Sequence, residues 1–122
     1  MGGIVTHYGA QYNGQPLGCG KGTYASADTS IIAVGPARNR EWPCGTLISV
    51  CGPTGCILTV RQDSCPGCGP YHADLSEAGI ARVCGEGVGL CKVELQVMRE
   101  VRLPVPGQSD PSHEDYQQAA SQ

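Results

Sequence analysis

Arg61-Gln-Asp-Ser-Cys-Pro-Gly-Cys-Gly-Pro-Tyr-His-Ala-Asp-Leu-Ser76 decides the reading of this chain. It opens at the end of an alternating apolar run. It then turns through Cys65-Pro66-Gly67-Cys68-Gly69-Pro70 and re-emerges as His72-Ala73-Asp74-Leu75-Ser76. A turn this rich in Pro and Gly reverses the chain, so its two flanks lie near each other. Asp63 and Asp74, one on each flank, are therefore expected to share one surface.

Segments of strand character surround that stretch. Gly3–Tyr8 reads as a short first strand, and the continuous apolar run Ile31-Ile32-Ala33-Val34 as a buried one. Thr46–Cys51 and Cys56–Gln62 form a hairpin about Gly52-Pro-Thr-Gly55. Lys92–Leu103 alternates apolar and polar residues, the pattern of a half-buried final strand. Ser76 is placed to cap a short helix running to about Val83, with Glu77 favourable in its first turn. Residues 9–30 read as a long polar loop held by Cys19, and 35–43 as irregular. About six short strands with one helix predict an all-β fold, a small closed barrel without exposed edges. The barrel domain is expected over residues 3–103. Residues 104–122, rich in Pro, Gly, Ser, Gln and acids, are expected to be a disordered tail or the stub of a linker.

Phe is absent and the aromatics are five Tyr and one Trp, so Ile, Val, Leu and Ala must supply the core. The formal charge of −3 is concentrated in the tail, where Asp110, Glu114 and Asp115 meet no Lys or Arg. The body is neutral, which leaves no basic footprint for nucleic acid or an anionic membrane. No stretch is long enough to cross a bilayer. Eight cysteines in 122 residues indicate an oxidising compartment, hence a secreted, extracellular protein. Met-Gly-Gly is no signal peptide, so an export signal is expected to have been removed ahead of it. A monomer without cofactor or metal is expected.

Cys51 with Cys56, and Cys84 with Cys91, are placed to close their own loops. Partners among Cys19, Cys44, Cys65 and Cys68 stay open. Cys65-x2-Cys68 followed by His72 also fits half a zinc site, but no second pair of matching spacing exists and disulfides are preferred. A thioredoxin-like redox pair fits less well, because Gly69-Pro70 follows where such pairs open a helix.

Taken in order, Gly3-Ile-Val-Thr-His-Tyr-Gly9, Pro43-Cys-Gly-Thr46, Val60-Arg-Gln-Asp-Ser-Cys-Pro-Gly-Cys-Gly69 and His72-Ala-Asp-Leu-Ser76 resemble the double-psi β-barrel families. These are the expansins, barwin-like proteins and rare lipoprotein A type, with the first domain of expansins nearest. The resemblance covers roughly residues 3–101 and implies a six-stranded barrel with a long open groove suited to a glycan. It places family positions on Thr6, Asp63 and Asp74. Where some bacterial members carry a groove Tyr, this chain has Cys65, a gap for Tyr8 or Tyr71 to fill.

The leading expectation is a protein that binds cell-wall polysaccharide (cellulose, chitin or peptidoglycan) and loosens it without hydrolysis. Thr6, Asp63 and Asp74 would bond sugar hydroxyls, while Tyr8, Tyr12, Tyr24, Tyr71 or Trp42 would stack on sugar rings. If a bond is cut, Asp74 and Asp63 are the candidate catalytic residues. Inverting hydrolysis needs two flanking carboxyls, yet residues 6–12 offer none. A lytic transglycosylase acting on peptidoglycan needs one acid that later serves as base, but the family's upstream Glu and His are missing. A protease inhibitor or defence protein working through the 9–30 loop is the alternative from another class.

Plainer roles compete for the same residues. Asp74 would hold the turn through backbone N–H groups, Asp63 would pair with Arg61, and His72 would merely pack. Trp42, beside Pro43 and Cys44, is expected against a disulfide and away from sugar.

Overall fold

The computed structural model describes residues 1–100, so the predicted tail at 104–122 and the end of the last predicted strand lie outside the described residues. Six strands close a barrel: β1 (Gly2–Tyr8), β2 (Ile31–Val34), β3 (Thr46–Gly52), β4 (Gly55–Ser64), β5 (His72–Ser76) and β6 (Cys91–Glu100). Their order around the barrel is β1-β5-β2-β4-β3-β6. Two of the pairings, β1 with β5 and β2 with β4, are parallel and the others antiparallel. The fold is the expected all-β six-stranded barrel.

Burial explains why each segment is a strand. All four residues of β2 are buried, because β4 and β5 flank it while the 9–30 loop covers it through Leu17 and Tyr24, which pack on Ile31. In β3 the buried residues Thr46, Ile48 and Val50 alternate with half-exposed ones, the signature of one face inward. Val5, Ile32, Val34, Ile48, Val50, Leu75 and Leu95 join Ile80 and Val83 of the helix in one core. Aliphatic side chains, joined by Trp42, thus fill a barrel this small without Phe.

His72–Ser76 is a full strand, paired on both sides, where the sequence signalled only the chain's return. Its last residue caps the helix α1 (Glu77–Cys84): the Ser76 hydroxyl accepts a hydrogen bond of 3.0 Å from Gly79 N–H. The 9–30 segment contains a 3-10 turn at Ala10–Tyr12 and a bridge between Pro16 and Thr23.

Four disulfides form: Cys19–Cys44, Cys51–Cys56, Cys65–Cys68 and Cys84–Cys91. Cys51–Cys56 and Cys84–Cys91 are the pairs expected from their loops. Cys19–Cys44 ties the long loop to the start of β3 and spans 25 residues, so it restricts the unfolded chain most. Trp42 is 6% exposed, inside the core cluster, with the Arg38 guanidinium 4.7 Å above its ring. Its ring is covered and cannot stack on a sugar.

Candidate functional site

Strand register brings the two acids together. Ala33 of β2 pairs with Asp63 on one side and with Asp74 on the other. Their backbones therefore stand roughly two strand spacings apart, about 9–10 Å. Thr6 of β1 lies opposite Asp74 in the parallel pair β1/β5. A cavity of about 490 Å³ has Tyr8, Tyr12, Ala33, Asp63, Cys65 and Asp74 in its wall. The small side chain of Ala33 leaves room between the acids. An Ala inside an otherwise bulky buried run was the one available signal for this opening.

Hydrogen bonds assign different work to the acids. Thr6 Oγ1 donates to Asp74 Oδ1, and His72 Nε2 lies 2.7 Å from the same hydroxyl. A hydroxyl has one proton, so with it given to Asp74 the imidazole must donate from Nε2. The relay runs His72 to Thr6 to Asp74, and Asp74 Oδ2 has no protein partner among the described residues. His72, expected only to pack, thus reaches Asp74 through the Thr6 hydroxyl. Its position two residues before Asp74 on a strand puts both on one face, a period-two pattern already present in the sequence. Asp74 does not hold the turn; it sits within β5.

Asp63 is tied down at both oxygens. Oδ1 accepts from Gly18 N–H at 2.6 Å and Ser64 N–H at 2.9 Å, while Oδ2 accepts from the Tyr8 hydroxyl at 3.0 Å. The expected Asp63–Arg61 pair does not form. Arg61 is buried, and its guanidinium donates instead to the Asp63 and Trp42 carbonyls, Asn39 and Ser64. Burial lowers the Arg61 pKa.

The four described tyrosines separate into three environments. Tyr24 is 2% exposed and stacked under Tyr8 with ring centroids 4.1 Å apart, its hydroxyl donating to the Tyr8 carbonyl. It supports Tyr8 and offers no face to a ligand. Tyr12 is 46% exposed on the cavity rim. Tyr71 is 59% exposed but stands outside the cavity wall, beyond the Ile4–His72 end of β1/β5, with Arg38 5.2 Å from its ring. Tyr8, not Tyr71, therefore shares the cavity with Cys65.

Desolvation first, then the charge of Asp63 and the hydrogen bond to it, raise the Tyr8 pKa far above the ordinary tyrosine range; burial also raises that of Tyr24. For a phenol, a raised folded pKa means that the neutral form is favoured by folding. That stabilisation is complete below the unfolded value near 10 and is lost as pH climbs above it. The expected outcome is a melting temperature that falls from about pH 10 upward. Tyr8→Phe should blunt the fall, and a near-ultraviolet titration should show two tyrosines ionising only on unfolding. Full ionisation of all five in the folded protein would contradict this environment.

A second cavity, about 560 Å³, lies beside α1 with His7, Glu77, Ile80 and Val88 in its wall. Among the described residues, His7 Nδ1 is the buried side-chain nitrogen without a partner. Cys65, Cys68 and Asp74 present ligand atoms within 4.8 Å of one another, but both sulfurs are engaged in a disulfide. The zinc half-site is therefore closed in the oxidised protein.

No protein-family model and no curated protein matches this sequence. Solved structures do. The apo expansin of Clavibacter michiganensis aligns with a TM-score of 0.68 and 27% identity, covering 84% of this chain and 52% of that one. A mutant of the same expansin in complex with cellohexaose aligns at 0.63 and 27% identity, over 85% and 54%. The Streptomyces papain inhibitor aligns at 0.62 and 24% identity, over 78% and 92%, a likeness of fold alone. This chain spans about half the length of the expansin chains it matches. With its six-strand closure, these likenesses identify the barrel as a double-psi β-barrel similar to part of an expansin.

Proposed function

We propose that this expansin-like double-psi β-barrel binds a cell-wall polysaccharide outside the cell, with Tyr8, Asp63 and Asp74 lining its ligand cavity and Thr6 orienting Asp74, and loosens the polymer without cutting it. The observation that carries the reading is the cavity between β1, β4 and β5, whose wall holds the Tyr8–Asp63 pair together with Asp74, the latter bonded to Thr6 outside the wall. Neutral sugars present hydroxyls that both donate and accept. Asp74 Oδ2 is left to accept, and exposed Tyr12 offers an apolar ring face beside it. The complex of the similar expansin with cellohexaose supports a β-linked glycan as the ligand class. Four disulfides support an oxidising, extracellular setting. Among the described residues, no helix is long and apolar enough to cross a membrane.

Binding without turnover fits the acids better than catalysis does. Inverting hydrolysis needs one carboxylate free to deprotonate water. Asp63 already accepts three hydrogen bonds and anchors the 9–30 loop through Gly18, which suits it to holding the wall in place. Asp74 alone would have to serve as both acid and base in transglycosylation, and among the described residues Asp63 is the other acid lining the cavity.

Sedimentation with insoluble cellulose, chitin and peptidoglycan tests the reading. Retention on at least one polymer is expected, with no reducing ends or anhydro products in the supernatant. Asp74→Ala removes a hydrogen bond to a charged group, worth about 1.5–3 kcal/mol, so affinity should drop roughly 10- to 100-fold. No retention on any polymer would defeat the proposal, and released sugar would move the function to catalysis.

A further inference from the structure

The Cys65–Cys68 disulfide contributes Cys65 to the cavity wall but no group assigned to a sugar. Both sulfurs and a carboxylate oxygen of Asp74 fall within 4.8 Å of one another. We propose that opening this disulfide with an external dithiol creates a binding site for one zinc-like divalent cation, held by Cys65, Cys68 and Asp74. The C-x2-C spacing is that of zinc-binding knuckles, and two thiolates select a borderline-soft metal over calcium or magnesium. Three protein ligands leave the fourth tetrahedral position to solvent.

A thiolate of the dithiol attacks one cysteine sulfur, and its second thiol then resolves the mixed disulfide. Two electrons pass to the protein, the dithiol leaves as a disulfide, and Cys65 and Cys68 remain as thiols. Metal binding then expels their two protons to water.

The loop holds its shape by bonds that do not involve sulfur. Cys65 N–H donates to the Val34 carbonyl at 2.9 Å and Cys68 N–H to the Cys65 carbonyl at 3.0 Å. Arg38 Nε donates to the Pro70 carbonyl at 2.7 Å. The Cα atoms of the two cysteines are therefore kept at their 5.3 Å separation when the bridge opens. Cys65 is partly exposed and the tip is open: a side chain added at Gly67 would meet nothing within 4 Å. Metal occupancy would draw the Asp74 carboxylate away from Thr6 and couple redox state to the cavity.

Limited reduction with dithiothreitol, followed by alkylation mapping and cobalt(II) titration, tests the site. The expected result is one cobalt per chain, with thiolate-to-cobalt charge-transfer and tetrahedral bands that zinc abolishes. These bands should vanish in Cys65→Ser/Cys68→Ser and survive in Cys51→Ser/Cys56→Ser. Asp74→Asn should weaken cobalt binding about tenfold or more. Absent bands overturn the proposal, as does their persistence without Cys65 and Cys68, unchanged affinity in Asp74→Asn, or loss of near-ultraviolet circular dichroism once this one bridge is open.

Discussion

Gly35→Ala is expected to destabilise the barrel by ~3 kcal/mol, the upper end of the usual overpacking cost. Gly35 has a φ of −80°, which any residue adopts, so the demand is for space and not for conformational freedom. A Cβ there would lie 2.0 Å from the Cys68 carbonyl oxygen and 2.8 Å from its carbon. Both are backbone atoms, and no rotamer relieves the clash. The 65–70 loop would have to lift, straining the Cys65–Val34 hydrogen bond and displacing Cys65 and Pro66 from the cavity wall. Urea unfolding measures the loss. Gly67→Ala is the control, since a Cβ there meets nothing within 4 Å and should change stability by less than about 0.5 kcal/mol. Equal stability of the two variants would mean that the loop does not pack on Gly35.

Asp63→Ala should cost ~2 kcal/mol and also loosen the 9–30 loop. The change strands three donors: the Tyr8 hydroxyl and the Gly18 and Ser64 amides. Each buried orphan costs about 1–3 kcal/mol, and the two amides sit in exposed surroundings where water recovers much of it. The Cys19–Cys44 bridge and the bond of 3.1 Å from Cys19 N–H to the Gln62 carbonyl still hold the loop's middle. Faster proteolysis is therefore expected in its first half, before Cys19. If the site is as proposed, glycan affinity falls at least tenfold, because Tyr8 loses the partner that orients it. Asp63→Asn, which keeps an acceptor, should preserve loop protection better than it preserves binding. Identical proteolysis of wild type and Asp63→Ala would remove Asp63 from its anchoring role.

Much of this architecture is legible in residue pattern. The unbroken run Ile31–Val34 has no polar face and must be covered on both sides, as it is. Ser76 ahead of Glu77 marks the helix start, and the hairpin turn about residues 52–55 closes β3 onto β4 as read. These are local facts, set by propensity, alternation and capping. Two short-range disulfides belong with them, because a cysteine pair flanking a tight turn has few other partners.

The relations that form the site are of another kind. By pattern alone, a turn is a competing role for Asp74, packing for His72, and pairing with Arg61 or another Arg for Asp63. Each was decided by which strand became its neighbour: β1 for Asp74, β2 for both acids, and the folded-back Gly18 for Asp63. The same holds for Tyr24, one tyrosine among several in the chain, which tertiary packing buried beneath Tyr8. The sequence by itself determined a cross-linked aliphatic barrel with its acids on either side of one turn, since alternation and Pro-Gly chemistry act over a few residues. Only the tertiary structure decided which side chain each acid meets, because parallel pairing joins residues dozens of positions apart and leaves no periodic trace along the chain.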